Sequence, residues 1–204
     1  MKLRLIFSLV APAVLCSQSL SRGERDYAMS QLHATRKMLL DAVQDVSPAQ
    51  WKFKPAPDRR SIAECVEHIV LAEDFITEKV RQLLQDPAQT DRKPVPEDDA
   101  VYRQAADPAR APALGGAALS PRGRFALPED AAQAFRQRRD RTIAYIATTE
   151  DPLRARFDGA GEDALDAYQL FLRLAGHTER MVEEINRIKT DPKFPRSPGG
   201  SRRD

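Results

Sequence analysis

The sequence predicts an all-α domain, in which four long helices are joined by short links and by one long crossover between the second and third. Three observations carry that expectation. Four segments repeat apolar residues at three- and four-residue steps, the period of a helix with one buried face. Aromatic residues make up only 6% of the chain and β-branched runs are few, which favours helices over sheets. Between the second and third periodic segments, residues 86–127 are rich in Pro, Ala, Arg and Gly and keep no period. With 204 residues, the chain is long enough for a single domain with a full core.

Residues 1–19 are expected to be a secretory signal rather than part of the fold. Lys2 and Arg4 form a basic start, and residues 5–15 form an apolar run of signal length that is too short to span a bilayer as a helix. Ser17 and Ser19 suit a small-x-small cleavage rule, which places the cut near Ser19. A lipoprotein cut before Cys16 is the alternative, although bulky Leu15 precedes it; an uncleaved N-terminal helix is another. The expected address is extracytoplasmic, with membrane contact only through this signal if it is retained.

The first helix is expected over about 23–44, where Ala28, Leu32, Thr35, Leu39, Ala42 and Val46 form one stripe. Ser47 and Pro48 stop it or begin a short cap. Residues 51–58, with Pro55 and Pro57, read as a stiff connection whose Trp51 and Phe53 plug one end of the bundle or line a pocket mouth. The second helix starts at Ser61, where Ser61 and Glu64 make a capping box, and ends near Gln85. Its stripe is Ile62, Cys65, Ile69, Ala72, Ile76 and Val80. The crossover is expected to be partly extended with one short helical turn, and its length lets the third helix run parallel to the second. Pro128, Glu129 and Asp130 open the third helix, since proline suits the first turn and acids suit the positive end of the dipole. Ala132, Phe135, Arg139, Thr142, Ile143 and Ile146 set its inner side, and it ends near Thr149. The fourth helix is expected over about 163–190 on Leu165, Tyr168, Phe171, Leu172, Ala175, Thr178, Val182, Ile185 and Ile188. The domain is thus expected over residues 20–192. Residues 193–204, with Arg196, Arg202 and Arg203, read as a disordered tail.

Loss of the signal would remove Lys2 and Arg4 from the 32 basic residues and balance them against the 30 acidic ones. A chain that is neutral overall offers no phosphate-tracking surface, so no nucleic-acid partner is expected. Cys65 would be the one remaining thiol, and a single cysteine makes no internal disulfide.

The chemistry-bearing residues are few, because the chain has only three histidines. His68 borders the second helix's stripe. His177 and Met181 are four apart on the fourth helix, one turn from each other on one face. Imidazoles projecting inward from facing helices are how a bundle builds a metal site.

The runs Trp51–Asp58 and Ser61–Ile69 resemble the opening half of a DinB-like domain. The runs Arg138–Tyr145, His177–Met181 and Lys189–Pro195 resemble its closing half. The resemblance covers nearly all of the chain beyond the signal. It implies a four-helix up-down-down-up bundle, often a homodimer, with a divalent transition metal such as Zn or Ni held by three histidines. Characterised relatives include metal-dependent thiol transferases and hydrolases, and many members have no known activity. Carried onto this chain, His68 matches the ligand of the second helix and His177 the first ligand of the fourth. Met181 stands where the third histidine is expected. The family often has a second aromatic at the place of Arg60 and Gln at the place of Glu184.

Several substitutes for the third imidazole stay open. Cys65 is one turn from His68. His33 on the first helix faces either the centre or solvent. Met181 itself is a soft donor that would favour Cu(I). Glu184 is about 10 Å of helical rise beyond His177, too far to share an ion with it. Glu67 points about 100° around the helix from His68, so it is not placed as a base. No catalytic residue is assigned. Two functions follow from these readings. In the first, the protein is a degenerate member with a weak or absent metal site and a binding or structural role. In the second, it is a metal-dependent transferase or hydrolase that uses His68, His177 and a substitute ligand.

Overall fold

The computed structural model describes residues 19–94, 96–161 and 163–196. The signal reading on Lys2, Arg4, the run 5–15 and Cys16 lies outside these residues, as do tail residues 197–204. Among the described residues the chain is helical, with no strand: α1 (Arg22–Val43), α2 (Pro48–Lys52), α3 (Ile62–Leu83), α4 (Asp98–Ala106), α5 (Pro128–Thr148) and α6 (Ala167–Lys189). No helix among them is long and apolar enough to cross a membrane.

Four helices begin with a reciprocal capping box: Ser21 with Glu24, Ser47 with Gln50, Ser61 with Glu64 and Asp166 with Gln169. In each, the N-cap oxygen takes an orphan backbone N–H and the third residue reaches back to the cap. The sequence placed the start of the last helix near Asp163, four residues early. The reason is a local turn: Asp158 N–H donates to Leu165 O (2.9 Å) and Ala167 N–H donates to Arg156 O (2.8 Å). This pairing, a single antiparallel bridge between Phe157 and Asp166, keeps the chain out of helix until Asp166 caps α6.

α1 and α3 each pack against both α5 and α6. The core has two halves. One joins the start of α1 (Ala28, Leu32), the end of α3 (Ile76, Val80), the end of α5 (Ile143, Ile146) and the start of α6 (Tyr168, Phe171). The other joins Leu39 and Ala42, Ile62 and Val66, Ala131 and Phe135, and Val182 and Ile185. So α3 and α5 run in one sense and α1 and α6 in the other. Burying a side chain such as Phe135 or Ile69 completely contributes about 2 kcal/mol of transfer free energy. Trp51 closes the second half; it is fully buried and its indole N–H donates to Phe125 O (3.1 Å).

The crossover holds more structure than one short turn. α4 has nine residues and lies along α6, and a 3₁₀ turn follows at Gly116–Leu119. α4 approaches α6 at Gly176, where a Cβ would lie 2.3 Å from Tyr102 O. The start of α4 is fixed by Arg154, whose guanidinium binds Glu24 of α1 (2.7 Å), Asp98 of α4 and the Asp166 cap (2.9 Å). The return leg is fixed by Glu67. Its buried carboxylate accepts the backbone N–H groups of Arg122 (2.8 Å), Gly123 (2.8 Å) and Arg124 (3.0 Å). At the other end of the chain, Phe194 meets Phe53 edge to face at 5.5 Å, and Gln50 donates to Pro195 O (2.8 Å). The first residues of the stretch expected as a tail are therefore packed on the bundle.

Candidate functional site

α3 and α6 face each other in the bundle, and their inward residues include both conspicuous histidines. The ring centroids of His68 and His177 are 5.0 Å apart at 61° between planes. Both side chains are buried, at 7% and 2% exposure, and Met181 is buried beside them at 3%. The two histidines that the sequence singled out thus meet, with Met181 one helical turn from His177.

The hydrogen bonds assign the tautomers. His68 Nδ1 lies 2.8 Å from Leu119 O, and a carbonyl only accepts, so Nδ1 carries the proton and Nε2 keeps the lone pair. His177 Nδ1 lies 2.8 Å from Arg180 Nη2, and a guanidinium only donates. The neutral His177 ring therefore offers its lone pair at Nδ1 and carries its proton on Nε2. That Nε2 is buried with no hydrogen-bond partner among the described residues.

Both rings are held neutral. Burial lowers the His177 pKa well below 6.5, and electrostatic repulsion from its neighbours His68, Arg180, Arg60 and Arg173 would oppose a second charge there. Burial lowers that of His68 as well, opposed by its bond to Leu119 and aided by Arg60 and Arg180. Burial also lowers the Arg180 pKa, as does repulsion from Arg60 and Arg173.

The donor set fits a divalent ion at one position of three. His68 is dressed as a metal ligand usually is, with its remote N–H on a carbonyl and its other nitrogen free. His177 is dressed the opposite way. To bind through Nε2 it would have to lose that proton while Nδ1 stays committed to a cation, which makes the ring an imidazolate. At the third position Arg60 Nη1 lies 3.9 Å from Met181 Sδ. Among the described residues no three or more of His, Cys, Asp and Glu are grouped to hold a metal.

The substitute ligands fare no better. Cys65 is fully buried in the second half of the core, packed as a small apolar residue, and burial pushes its thiol up to about 12. His33 is exposed on α1. Glu184 accepts from Arg59 and from Arg187 (2.7 Å). The Glu67 carboxylate is taken up by the three backbone N–H groups of the crossover. A cleft of about 420 Å³ brings Arg60, Arg180, Met181 and Glu184 together, so the three positions at which the sequence departs from the pattern that the resemblance implies share one surface. A larger groove of about 640 Å³ runs between α3 and α5 past Val80, Tyr145 and Phe171, lined by neither histidine.

The sequence reading missed Arg180. Its signal was its position three residues beyond His177, the spacing at which helix side chains meet. Leu119 carried no signal, because a backbone acceptor in a long crossover is set by the fold.

A family profile described as the DinB superfamily matches residues 31–185, a span that holds His68, His177 and Met181 together. The match covers well over half of the chain, and the chain belongs to that superfamily. No match was found among curated proteins or among solved structures.

Proposed function

We propose that this DinB-superfamily bundle is a degenerate member, in which the metal site has given way to a binding or structural role. The observation that supports this reading is the bond from Arg180 to His177 Nδ1. It fixes the proton on the nitrogen that a metal would need, and it places a cation where a second-sphere acceptor would normally stand. The second reading, a metal-dependent thiol transferase or hydrolase, draws on the 5.0 Å convergence of two neutral imidazoles. It requires Arg180 to leave His177. An extracytoplasmic location and a homodimer are further parts of the proposal, each resting on the sequence reading.

Elemental analysis of tag-free protein tests the first reading. The expected content of Zn, Ni or Cu is below about a tenth of an equivalent, and stoichiometric metal would support the second. Repair variants give the stronger test. Met181→His alone restores the third imidazole but leaves His177 in the wrong tautomer. Met181→His with Arg180→Glu replaces the cation by a carboxylate that can accept from Nδ1–H. The double variant should bind zinc about 10- to 100-fold more tightly than the single one, the usual scale of a second-sphere partner. Equal affinity in a competition titration would show that Arg180 does not control the site.

A further inference from the structure

The cleft beside Met181 carries four guanidiniums, Arg59, Arg60, Arg180 and Arg187, against the carboxylates Asp58 and Glu184. Two of the four are accounted for, because Arg59 and Arg187 both bind Glu184. Arg60 and Arg180 have no carboxylate within ion-pair reach among the described residues. Arg60 makes only the long contact with Met181 Sδ. Arg180 donates through Nε to Ala105 O (3.2 Å) and through Nη2 to His177 Nδ1. Its Nη1 makes no hydrogen bond among the described residues. Both bonds go to neutral acceptors, so neither offsets the guanidinium's charge. Four guanidiniums against two carboxylates leave the cleft with an excess of positive charge, and an anion seated between Arg60 and Arg180 offsets that excess while adding charge-assisted hydrogen bonds.

We propose that this cleft is a binding site for the oxyanion group of a small molecule, a carboxylate or a phosphate, held by Arg60 and Arg180. The inference rests on the degenerate reading above, and it names the chemistry of what that site takes in place of a metal. Guanidiniums suit this class because their planar N–H forks match two oxygens at once. Through its grip on the His177 ring, Arg180 also links the anion to the interior of the bundle.

Isothermal titration of the tag-free full chain with inorganic phosphate, and separately with acetate, tests the proposal at constant ionic strength. Saturable one-to-one binding of either anion is expected, and the two arms distinguish the sources. Arg60 is exposed, so Arg60→Glu should fold as the parent does, which circular dichroism checks. It should weaken binding by about tenfold or more, the effect of reversing one charge-assisted contact. Arg187→Gln removes a guanidinium already committed to Glu184 and should change affinity less than about threefold. Failure of both anions to saturate, or unchanged affinity in Arg60→Glu, overturns the proposal. Zinc and nickel are titrated into the same protein. Null results with metals and anions alike defeat the anion site alone, whereas stoichiometric metal binding defeats the degenerate reading on which it stands.

Discussion

At the scale of the residue, His177 has the most at stake. It is a buried imidazole with one nitrogen gripped by Arg180 and the other without a partner. Its pKa in the folded chain lies well below the 6.5 of the unfolded one. Below pH 6.5 the unfolded chain therefore binds a proton that the folded chain refuses, so stability is full above that pH and is lost as pH falls. Asp166 works in the other direction: burial raises it from 3.8 to about 6, so the folded chain takes its proton first and gains as pH falls through that window. A difference curve separates the two. The melting temperature of the parent should drop more steeply below pH 6.5 than that of His177→Leu, in which Asp166 is unchanged. Parallel curves would mean that the ring titrates as in water. The sequence was informative about where the histidines stand, because helical spacing puts His68 at the border of its apolar stripe and the family resemblance marks His68 and His177 as facing positions. It was silent on their protonation, because tautomers are set by Leu119 O and Arg180, groups that no periodicity reveals.

At the scale of the element, the long helices were legible because each carries a recurrent inward-facing stripe of mostly apolar residues. Ser61 with Glu64 marked the start of α3 to the residue. α4 was underestimated. Its clues were Asp98 and Asp99 in a first turn and the buried pair Val101 and Ala105 one turn apart, a pattern too short to stand out against prolines on both sides. What makes α4 an element of the bundle is its contact with α6 at Gly176. Alanine there would add about 1 kcal/mol of intrinsic helix preference. Its Cβ, however, would sit 2.3 Å from Tyr102 O, 3.0 Å from Ala105 Cβ and 3.1 Å from Ala106 N, and two of these are backbone atoms that cannot swing aside. Overpacking of that kind costs about 1–3 kcal/mol, so Gly176→Ala should lower the urea midpoint. A raised midpoint would show that α4 lifts away freely.

At the scale of the whole molecule, one buried ion pair joins the four long helices. Arg139 of α5 is fully buried and binds Glu73 of α3 (2.6 Å). It also donates to Leu32 O (3.1 Å) and Thr35 (2.6 Å) of α1, and to Thr178 of α6 (2.9 Å). Thr142 adds a second bond to Glu73 (3.2 Å). The sequence placed Arg139 on the inner side of its helix but named no partner, since one chain gives periodicity and not pairing. Glu73→Ala leaves a guanidinium buried without its counter-charge and should cost about 3–5 kcal/mol in urea unfolding. Glu73→Leu with Arg139→Met removes both charges, so its cost should be smaller than the sum of the two single replacements. Strict additivity would show that the two side chains act independently.

Glu67 and His68 are neighbours in sequence yet diverge around α3, and each takes hold of the same returning strip of backbone, at residues 122–124 and at Leu119. The strip behaves as a taut cord with two adjacent knots. Its far end, at Phe125, is tied to the indole of Trp51. A molecule that twisted the His68 ring would therefore tug the cord, and the strain would arrive at the opposite anchorage as a change in tryptophan fluorescence.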